Sequence, residues 1–132
     1  MLTHYSTILF LRRYANTITG LSPESVDAKN GFKPSSGAQY YLLRPETVES
    51  LYILSFLTKD PVYREWGWEI FQSIEKYSKT RFGYGEYSNV MDQDVGPKDS
   101  VESFFFAETL KYLYLLFDTE SEIDILEKVS NF

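Results

Sequence analysis

The sequence predicts an all-α domain, and three observations point to that class. Four segments carry apolar side chains at helical spacing. Aromatic residues are abundant, with 11 Tyr, 10 Phe and 2 Trp, and many fall within those segments, where rings bury large areas against neighbouring helices. Only one short stretch alternates like a pair of strands. The length of 132 residues and the 43% hydrophobic content fit one globular domain spanning the whole chain.

The first two predicted helices cover residues 3–17 and the segment that begins at Pro45. A linker rich in Gly, Ser and Lys, residues 28–39, lies between them and is predicted as a loop. Proline suits the first turn of a helix because its φ angle is already helical. The second helix is apolar on most sides and stops at Lys59-Asp60-Pro61, so we expect other helices to surround it.

The third helix is predicted from Pro61 to about Thr80 and is amphipathic, which is typical of an outer helix. A short hairpin is predicted in GYGEYSNVMD, residues 83–92, where aromatic and small residues alternate. The fourth helix, from about Ser100 to Phe117, contains SFFFAETLKYLYLLF and has hardly any polar face. Two helices that are apolar nearly all round need more partners than this chain supplies. We therefore expect an oligomer or a larger domain.

Composition also limits the function. The net charge is -6 and the few basic residues are scattered, which argues against a nucleic-acid partner. There is no Cys, which excludes disulfides and thiolate metal sites. The N-terminal apolar run, Ile8 to Leu11, is too short for a membrane span and is followed by basic residues, unlike a signal peptide.

Polar residues at the helix starts have two interpretations. In Ser22-Pro23-Glu24 and Arg44-Pro45-Glu46, a proline followed by a carboxylate is explained by helix initiation. Initiation does not explain Glu49, one turn after Glu46, or Glu108 within an apolar run. A structural network in which Arg44 and Lys111 neutralise these carboxylates is one possibility. The other is a polar pocket inside the aromatic core, of the kind that binds and hydrolyses sugars.

Four motifs in order carry a family resemblance: TGLSPE, YLLRPETVESLY, WGWEIFQSIEKYSKT and VESFFFAETLKYLYLLF. From about Thr19 to Phe117 the chain resembles the C-terminal part of glycoside hydrolase family 47. These class I α-1,2-mannosidases trim high-mannose N-linked oligosaccharides in the endoplasmic reticulum and Golgi. The resemblance implies a calcium-dependent, inverting enzyme with an (α/α)7 barrel. Residues 1–132 would be the last helical hairpins of its single catalytic domain.

The resemblance also implies roles for individual residues. Glu46 matches the general base that activates a water molecule. The side chains expected to line the sugar-binding pocket are Glu24, Arg44, Glu49, Phe104 and Glu108. The implied substrate is a high-mannose oligosaccharide, and the implied partner is the missing N-terminal part of the same domain.

Three departures qualify that expectation. The family's general acid lies in the N-terminal part of its domain, which has no match in this chain. Phe132 stands where the family has a Thr that binds calcium, and a phenyl ring cannot ligate this cation. LFLRRYAN also lacks the family's usual Cys. Calcium is therefore expected in the complete enzyme and is in doubt here, and the isolated chain is expected to be inactive.

Two hypotheses about the chain follow. The first is a piece of a mannosidase: a truncated gene model, a subunit of a split enzyme or a degenerate copy. The second is a non-catalytic helical module, derived from that family, that binds a glycan or a protein. TVES and WGWEI resemble the processing enzymes more than their degradation-enhancing relatives.

Overall fold

Helices account for most of the regular structure in the computed structural model, which describes residues 14–118. Helix α1 spans Glu46–Thr58 and helix α2 spans Val62–Tyr77. A third helical stretch begins at residue 103, passes through a π-turn at Phe105–Thr109 and continues as helix α3, Leu110–Phe117. The all-α prediction is confirmed for the described part of the chain, with one small sheet in addition.

Local sequence sets the ends of α1 and α2. The Glu49 N–H group donates to the Pro45 carbonyl at 2.9 Å, which closes the first turn of α1. Lys59 then adopts a left-handed conformation, with φ of 59°, and ends the helix. The Val62 N–H group donates to the Asp60 carboxylate at 3.0 Å, so Asp60 satisfies a free donor at the start of α2. Both helices were predicted, although α2 ends before the expected Thr80.

The third helical stretch begins later than the predicted Ser100. Residues 98–100 are instead bonded to Glu86: Lys98 N–H donates to the Glu86 carbonyl and Glu86 N–H donates to the Ser100 carbonyl, both at 2.8 Å. The Ser100 carbonyl is therefore already bonded and does not accept the first hydrogen bond of a helix that would start at Ser100. Farther along, the Leu110 N–H group donates to the Phe105 carbonyl, five residues earlier, which is the bonding pattern of a π-helix.

The predicted hairpin lies in the wrong segment. The observed antiparallel pair joins β1, Val26–Asp27, to β2, Lys33–Pro34, and therefore falls largely within the predicted loop 28–39. A short 3-10 helix, Ala28–Asn30, connects the strands and is followed by Gly31 with φ of 69°. A residue without a Cβ atom adopts this left-handed turn at no steric cost.

Segment 83–92 forms isolated β-bridges with residues outside it, since Tyr84 bridges to Lys79 and Tyr87 bridges to two other residues. Tyr87 exchanges two backbone hydrogen bonds with Tyr41, at 2.8 and 2.9 Å, and also bridges to Pro97. The alternation of aromatic residues in this segment thus reflects its position between two other extended segments. This pairing fixes the chain just before the Arg44-Pro45-Glu46 motif.

The hydrophobic core lies where α1 packs against α2 and α3. Gly67 makes the α2–α3 contact close, since a Cβ atom there would come within 2.3 Å of Leu116 Cδ2. Fully buried core residues include Leu43, Leu51, Tyr63, Ile74, Phe105 and Leu113.

Several large apolar side chains of the described region remain exposed. Leu57, Phe106 and Tyr114 retain 64%, 55% and 65% of their accessible surface. Of the predicted first helix, residues 14–17 are described: residues 14 and 15 are helical, whereas residues 16 and 17 form a turn and a bend, so the helix ends before the expected residue 17. Residues 3–13 lie outside the described residues. Between residues 14 and 118, no helix has the length and apolar character needed to cross a bilayer.

Candidate functional site

The site is built where two extended segments approach the start of α1. Residues 22–24 do not begin a helix, contrary to the interpretation of Ser22-Pro23-Glu24 as helix initiation. Instead, the Glu24 N–H group lies 3.0 and 2.9 Å from the carbonyl oxygens of Ala38 and Tyr40. Glu24 is therefore held at a bend outside any helix, because its backbone is bonded across to another part of the chain. The motif Arg44-Pro45-Glu46 does begin a helix, as predicted.

Arg44 and Glu24 form an ion pair across the site. Arg44 Nε donates to both carboxylate oxygens of Glu24, at 2.8 and 3.0 Å. The Arg44 side chain is 45% exposed and that of Glu24 is 24% exposed. The guanidinium carbon also lies 5.7 Å from the centroid of the Phe104 ring, within range of a cation–π contact. Residues from three distant segments, 24, 44 and 104, thus meet at one guanidinium group.

A cleft of about 310 Å³ lies beside this ion pair. Its lining includes Tyr14, Glu24, Tyr41, Arg44, Glu46 and Thr47. Glu46 is the first residue of α1 and is exposed. Burial raises the pKa of Tyr41 well above its usual value, and Tyr14 and the negative charge of Glu46 raise it further. The cleft therefore combines carboxylates, one guanidinium group and neutral phenols.

A second group of predicted site residues lies around Tyr112 of α3. The Tyr112 hydroxyl donates to Glu49 Oε1 at 2.9 Å, joining α3 to α1. The pKa of Tyr112 is raised to about 12, first by burial and then by its hydrogen bond to Glu49 and the charges of Glu49 and Glu108. Glu49 and Glu108 are both partly buried. Both carboxylates therefore act on the Tyr112 hydroxyl, and neither of them lines the cleft.

This arrangement corrects the predicted structural network. Arg44 pairs with Glu24, whereas Glu49 accepts its hydrogen bond from Tyr112. Among residues 14–118, Lys111 forms no ion pair with Glu108, and its ammonium nitrogen lies 4.4 Å from the centroid of the Tyr112 ring. The phenol takes the role that the sequence assigned to a cation, because its hydroxyl reaches the carboxylate from the facing helix.

Sequence reasoning missed the tyrosines of the site. Tyr14 and Tyr41 line the cleft, with ring centroids 6.4 Å apart in an edge-to-face contact. No local pattern marks either residue as part of a site. Tyr112 follows Glu108 by four residues, and this spacing places both side chains on one helix face. That spacing was the available signal for Tyr112.

Within residues 14–118, no three acidic, His or Cys side chains are grouped closely enough to hold a metal ion. Position 132, where the family's calcium-binding Thr is expected, lies outside the described residues.

Comparison with known proteins identifies the family. The model of glycosyl hydrolase family 47 matches residues 2–131, and the chain belongs to this family. It is 47% identical over 119 residues to the Arabidopsis thaliana mannosyl-oligosaccharide 1,2-alpha-mannosidase MNS1, covering 89% of this chain and 21% of that protein. It is 47% identical over 122 residues to the endoplasmic reticulum mannosyl-oligosaccharide 1,2-alpha-mannosidase of Schizosaccharomyces pombe, covering 83% of this chain and 23% of the relative.

A solved structure shows the same architecture. The described chain matches the alpha-1,2-mannosidase from Trichoderma reesei with a TM-score of 0.78 and 31% sequence identity. The match covers 90% of this chain and 28% of that enzyme. The chain thus spans about a fifth of the length of the curated relatives, at 21% and 23%. The family resemblance predicted from the sequence motifs is confirmed.

Proposed function

We propose that this chain forms the C-terminal part of the catalytic domain of an inverting α-1,2-mannosidase that trims high-mannose N-glycans. In this proposal the helices are the last hairpins of an (α/α)7 barrel. The observation that carries the proposal is the cleft shared by Glu24, Arg44 and Glu46 in a chain of family 47. These residues come from separate segments and converge beside an aromatic ring, which suits a sugar with its hydroxyl groups and apolar face.

Glu46 is the proposed general base. Its carboxylate lies at the wall of the cleft and is exposed, so a water molecule can reach it. Removing a proton from that water makes it a nucleophile for the anomeric carbon. An inverting enzyme needs a second carboxyl group about 6.5–9.5 Å away to protonate the leaving oxygen. We assign this acid to the part of the domain that precedes the matched segment in the relatives.

Arg44 and Phe104 are proposed to bind the sugar. The contact with Glu24 uses the Nε–H group of Arg44, and the guanidinium group carries further N–H donors for hydroxyl groups. Because Glu24 fixes the guanidinium group before the sugar arrives, less side-chain entropy is lost on binding. The Phe104 ring, whose centroid is 5.7 Å from the guanidinium carbon, offers an apolar face. Glu49 and Glu108 are proposed to bind hydroxyl groups from the side of Tyr112.

The rest of a family 47 domain is the proposed partner of this chain. The relatives are about five times longer than the matched segment, which is 21% of the Arabidopsis protein. Leu57, Phe106 and Tyr114 remain exposed, and in this proposal the rest of the domain covers these apolar side chains. We infer that the isolated chain has no activity, that calcium is bound only by the complete enzyme, and that the enzyme works in the endoplasmic reticulum or Golgi.

A segment-exchange experiment tests this proposal. The matched segment of the Arabidopsis mannosidase is replaced by the corresponding segment of this chain, so that the parts of that protein before and after the segment are retained, and mannose release from an α-1,2-linked mannobiose is measured. The exchange protein should release mannose, initially as the β anomer because the mechanism inverts configuration. Chelation with EDTA should abolish the release. Each part alone should be inactive.

The controls separate folding from chemistry. Circular dichroism and a cooperative thermal transition establish that the exchange protein is folded. A folded exchange protein that releases no mannose would contradict the proposed function. Release of the α anomer would refute the inverting mechanism, and release by the 132-residue chain alone would refute the need for a partner.

A further inference from the structure

Leu43, directly before the Arg44-Pro45-Glu46 motif, has an unusual backbone conformation. Its φ angle is 63°, in the left-handed region, and its side chain is fully buried. A bulky residue is seldom found there because its Cβ atom crowds the backbone. Such a conformation persists only when the surrounding contacts hold it. The start of α1 is therefore reached through a backbone position that the fold must maintain.

Thr109 provides one of those contacts from a distant part of the chain. Its hydroxyl donates to the Leu43 carbonyl at 2.6 Å, and both residues are 0% exposed. A buried carbonyl without a donor is unfavourable, so this hydrogen bond favours the orientation of the peptide that follows Leu43. Thr109 is the last residue of the π-turn. The same turn follows Phe104, the aromatic residue beside Arg44.

We propose that Thr109 is a positioning residue for the sugar-binding and catalytic groups, acting through its hydrogen bond to Leu43. The inference rests on the proposed function and adds a residue to it. Thr109 does not line the cleft, and it acts by fixing the peptide from which Arg44 and Glu46 extend. The π-turn thereby links the SFFFAET segment to the start of α1.

The geometry explains why one hydrogen bond controls several side chains. Residue 44 follows the peptide that carries the Leu43 carbonyl, and the ring of Pro45 restricts the next backbone rotation. A change at Leu43 is therefore passed on to Arg44 and to the first turn of α1, where Glu46 lies. Loss of the Thr109 hydroxyl allows Leu43 to leave the left-handed region, and Arg44 then leaves Glu24.

The test compares three variants of the 132-residue chain. Thr109→Val keeps the shape of the side chain and removes the hydroxyl, while Thr109→Ser keeps the hydroxyl. Thr19→Val is the matched control, because the Thr19 hydroxyl also donates to a buried carbonyl, that of Val90 at 3.0 Å. The Thr19 side chain is 3% exposed and its hydroxyl also accepts from the Leu21 N–H group at 3.2 Å, so Thr19→Val removes at least as much buried hydrogen bonding at a place away from Leu43.

The first readout is the Arg44 Nε–H signal in a ¹⁵N NMR spectrum, assigned by its loss in Arg44→Lys. In the unmodified chain this signal should be shifted and protected from solvent exchange by Glu24. Thr109→Val should lose that protection at least tenfold, whereas Thr109→Ser and Thr19→Val should keep it. This measurement needs no mannosidase activity, so its result is independent of the proposed function.

The second readout is the kinetics of the exchange protein. Misplacement of reacting groups by about 1 Å lowers rates by up to about a hundredfold, so Thr109→Val should lower kcat/KM by about ten- to a hundredfold. Both parameters should change, with KM raised through Arg44 and kcat lowered through Glu46. Thr109→Ser should recover most of the activity, and Thr19→Val should retain it.

Three results would overturn the inference: unchanged Arg44 protection in Thr109→Val, equal losses in Thr19→Val, or no protected Arg44 signal in the unmodified chain. An inactive exchange protein with the expected Arg44 signals would refute the proposed function and leave the positioning role of Thr109 supported.

Discussion

Replacing Tyr112 with Phe is expected to destabilise the chain by removing one hydrogen bond between α1 and α3. The Tyr112 hydroxyl donates to Glu49 at 2.9 Å, and the ring packs 6.0 Å from that of Tyr52. Phe preserves the ring contact. A hydrogen bond to a charged group contributes about 1.5–3 kcal/mol, and the partial burial of this pair favours the lower end, about 1.5 kcal/mol.

Urea unfolding followed by circular dichroism measures this loss. With an m-value of about 2 kcal/mol/M, a loss of about 1.5 kcal/mol lowers the unfolding midpoint by about 0.7 M. Tyr114→Phe is the matched control, since Tyr114 lies on the same helix and is 65% exposed, and its hydrogen bond to the Asp118 carboxylate contributes little in contact with solvent. Its midpoint should be unchanged. Equal midpoints for Tyr112→Phe and the unmodified chain would refute the energetic role of the pair.

The pH dependence gives a second check on Tyr112. Its pKa is raised to about 12 in the folded chain, mainly by burial. An unfolded Tyr titrates near pH 10, so the unfolded chain loses this proton first and the folded state loses stability between about pH 10 and 12. Tyr112→Phe lacks this contribution. The difference in unfolding free energy between the two proteins should therefore be constant below pH 10 and should shrink above it.

Two further predictions concern the approach of the extended segments and the sugar-binding cation. Gly85→Ala should lower the free energy of unfolding by about 3 kcal/mol, the upper end for overpacking, because the new Cβ would lie 1.8 Å from the Lys98 carbonyl oxygen. Thermal unfolding measures this loss. An unchanged transition temperature would contradict the close packing at Gly85. Arg44→Lys should raise KM in the exchange protein, because lysine lacks the planar guanidinium group that we propose binds the sugar. The free energy of unfolding should change by no more than about 0.5 kcal/mol, because the Arg44 side chain is 45% exposed. An unchanged KM would exclude Arg44 from sugar binding.

The helices were predictable because their ends are local. Pro45, Asp60 and Pro61 lie within one turn of the boundaries that they set, so the sequence contains the relevant signal. The hairpin was assigned wrongly because the Asn30-Gly31 pair, a common hairpin turn, was interpreted as part of a flexible linker. The alternation around Tyr87 was real, but its partners are 46 and 10 residues away, at Tyr41 and Pro97.

The candidate site was predictable only in part. The motif residues Glu24, Arg44 and Glu46 were recognised from the family resemblance, and the structure places them around one cleft. The pairing of Arg44 with Glu24 joins residues 20 positions apart, and the bond from Thr109 to Leu43 spans 66. Such contacts depend on tertiary packing. No periodicity or capping rule in the sequence indicates which of several carboxylates or carbonyls receives the bond.

The role of Glu46 is the central claim, and substitution of this residue in the exchange protein tests it most directly. General-base catalysis contributes about 10²–10⁴-fold to the rate, so Glu46→Gln should lower kcat by that factor while the protein stays folded. Glu69→Gln, at an exposed position on α2, is the control and should retain full activity. A Glu46→Gln protein with kcat close to that of the unmodified exchange protein would contradict the assignment of the base to this chain.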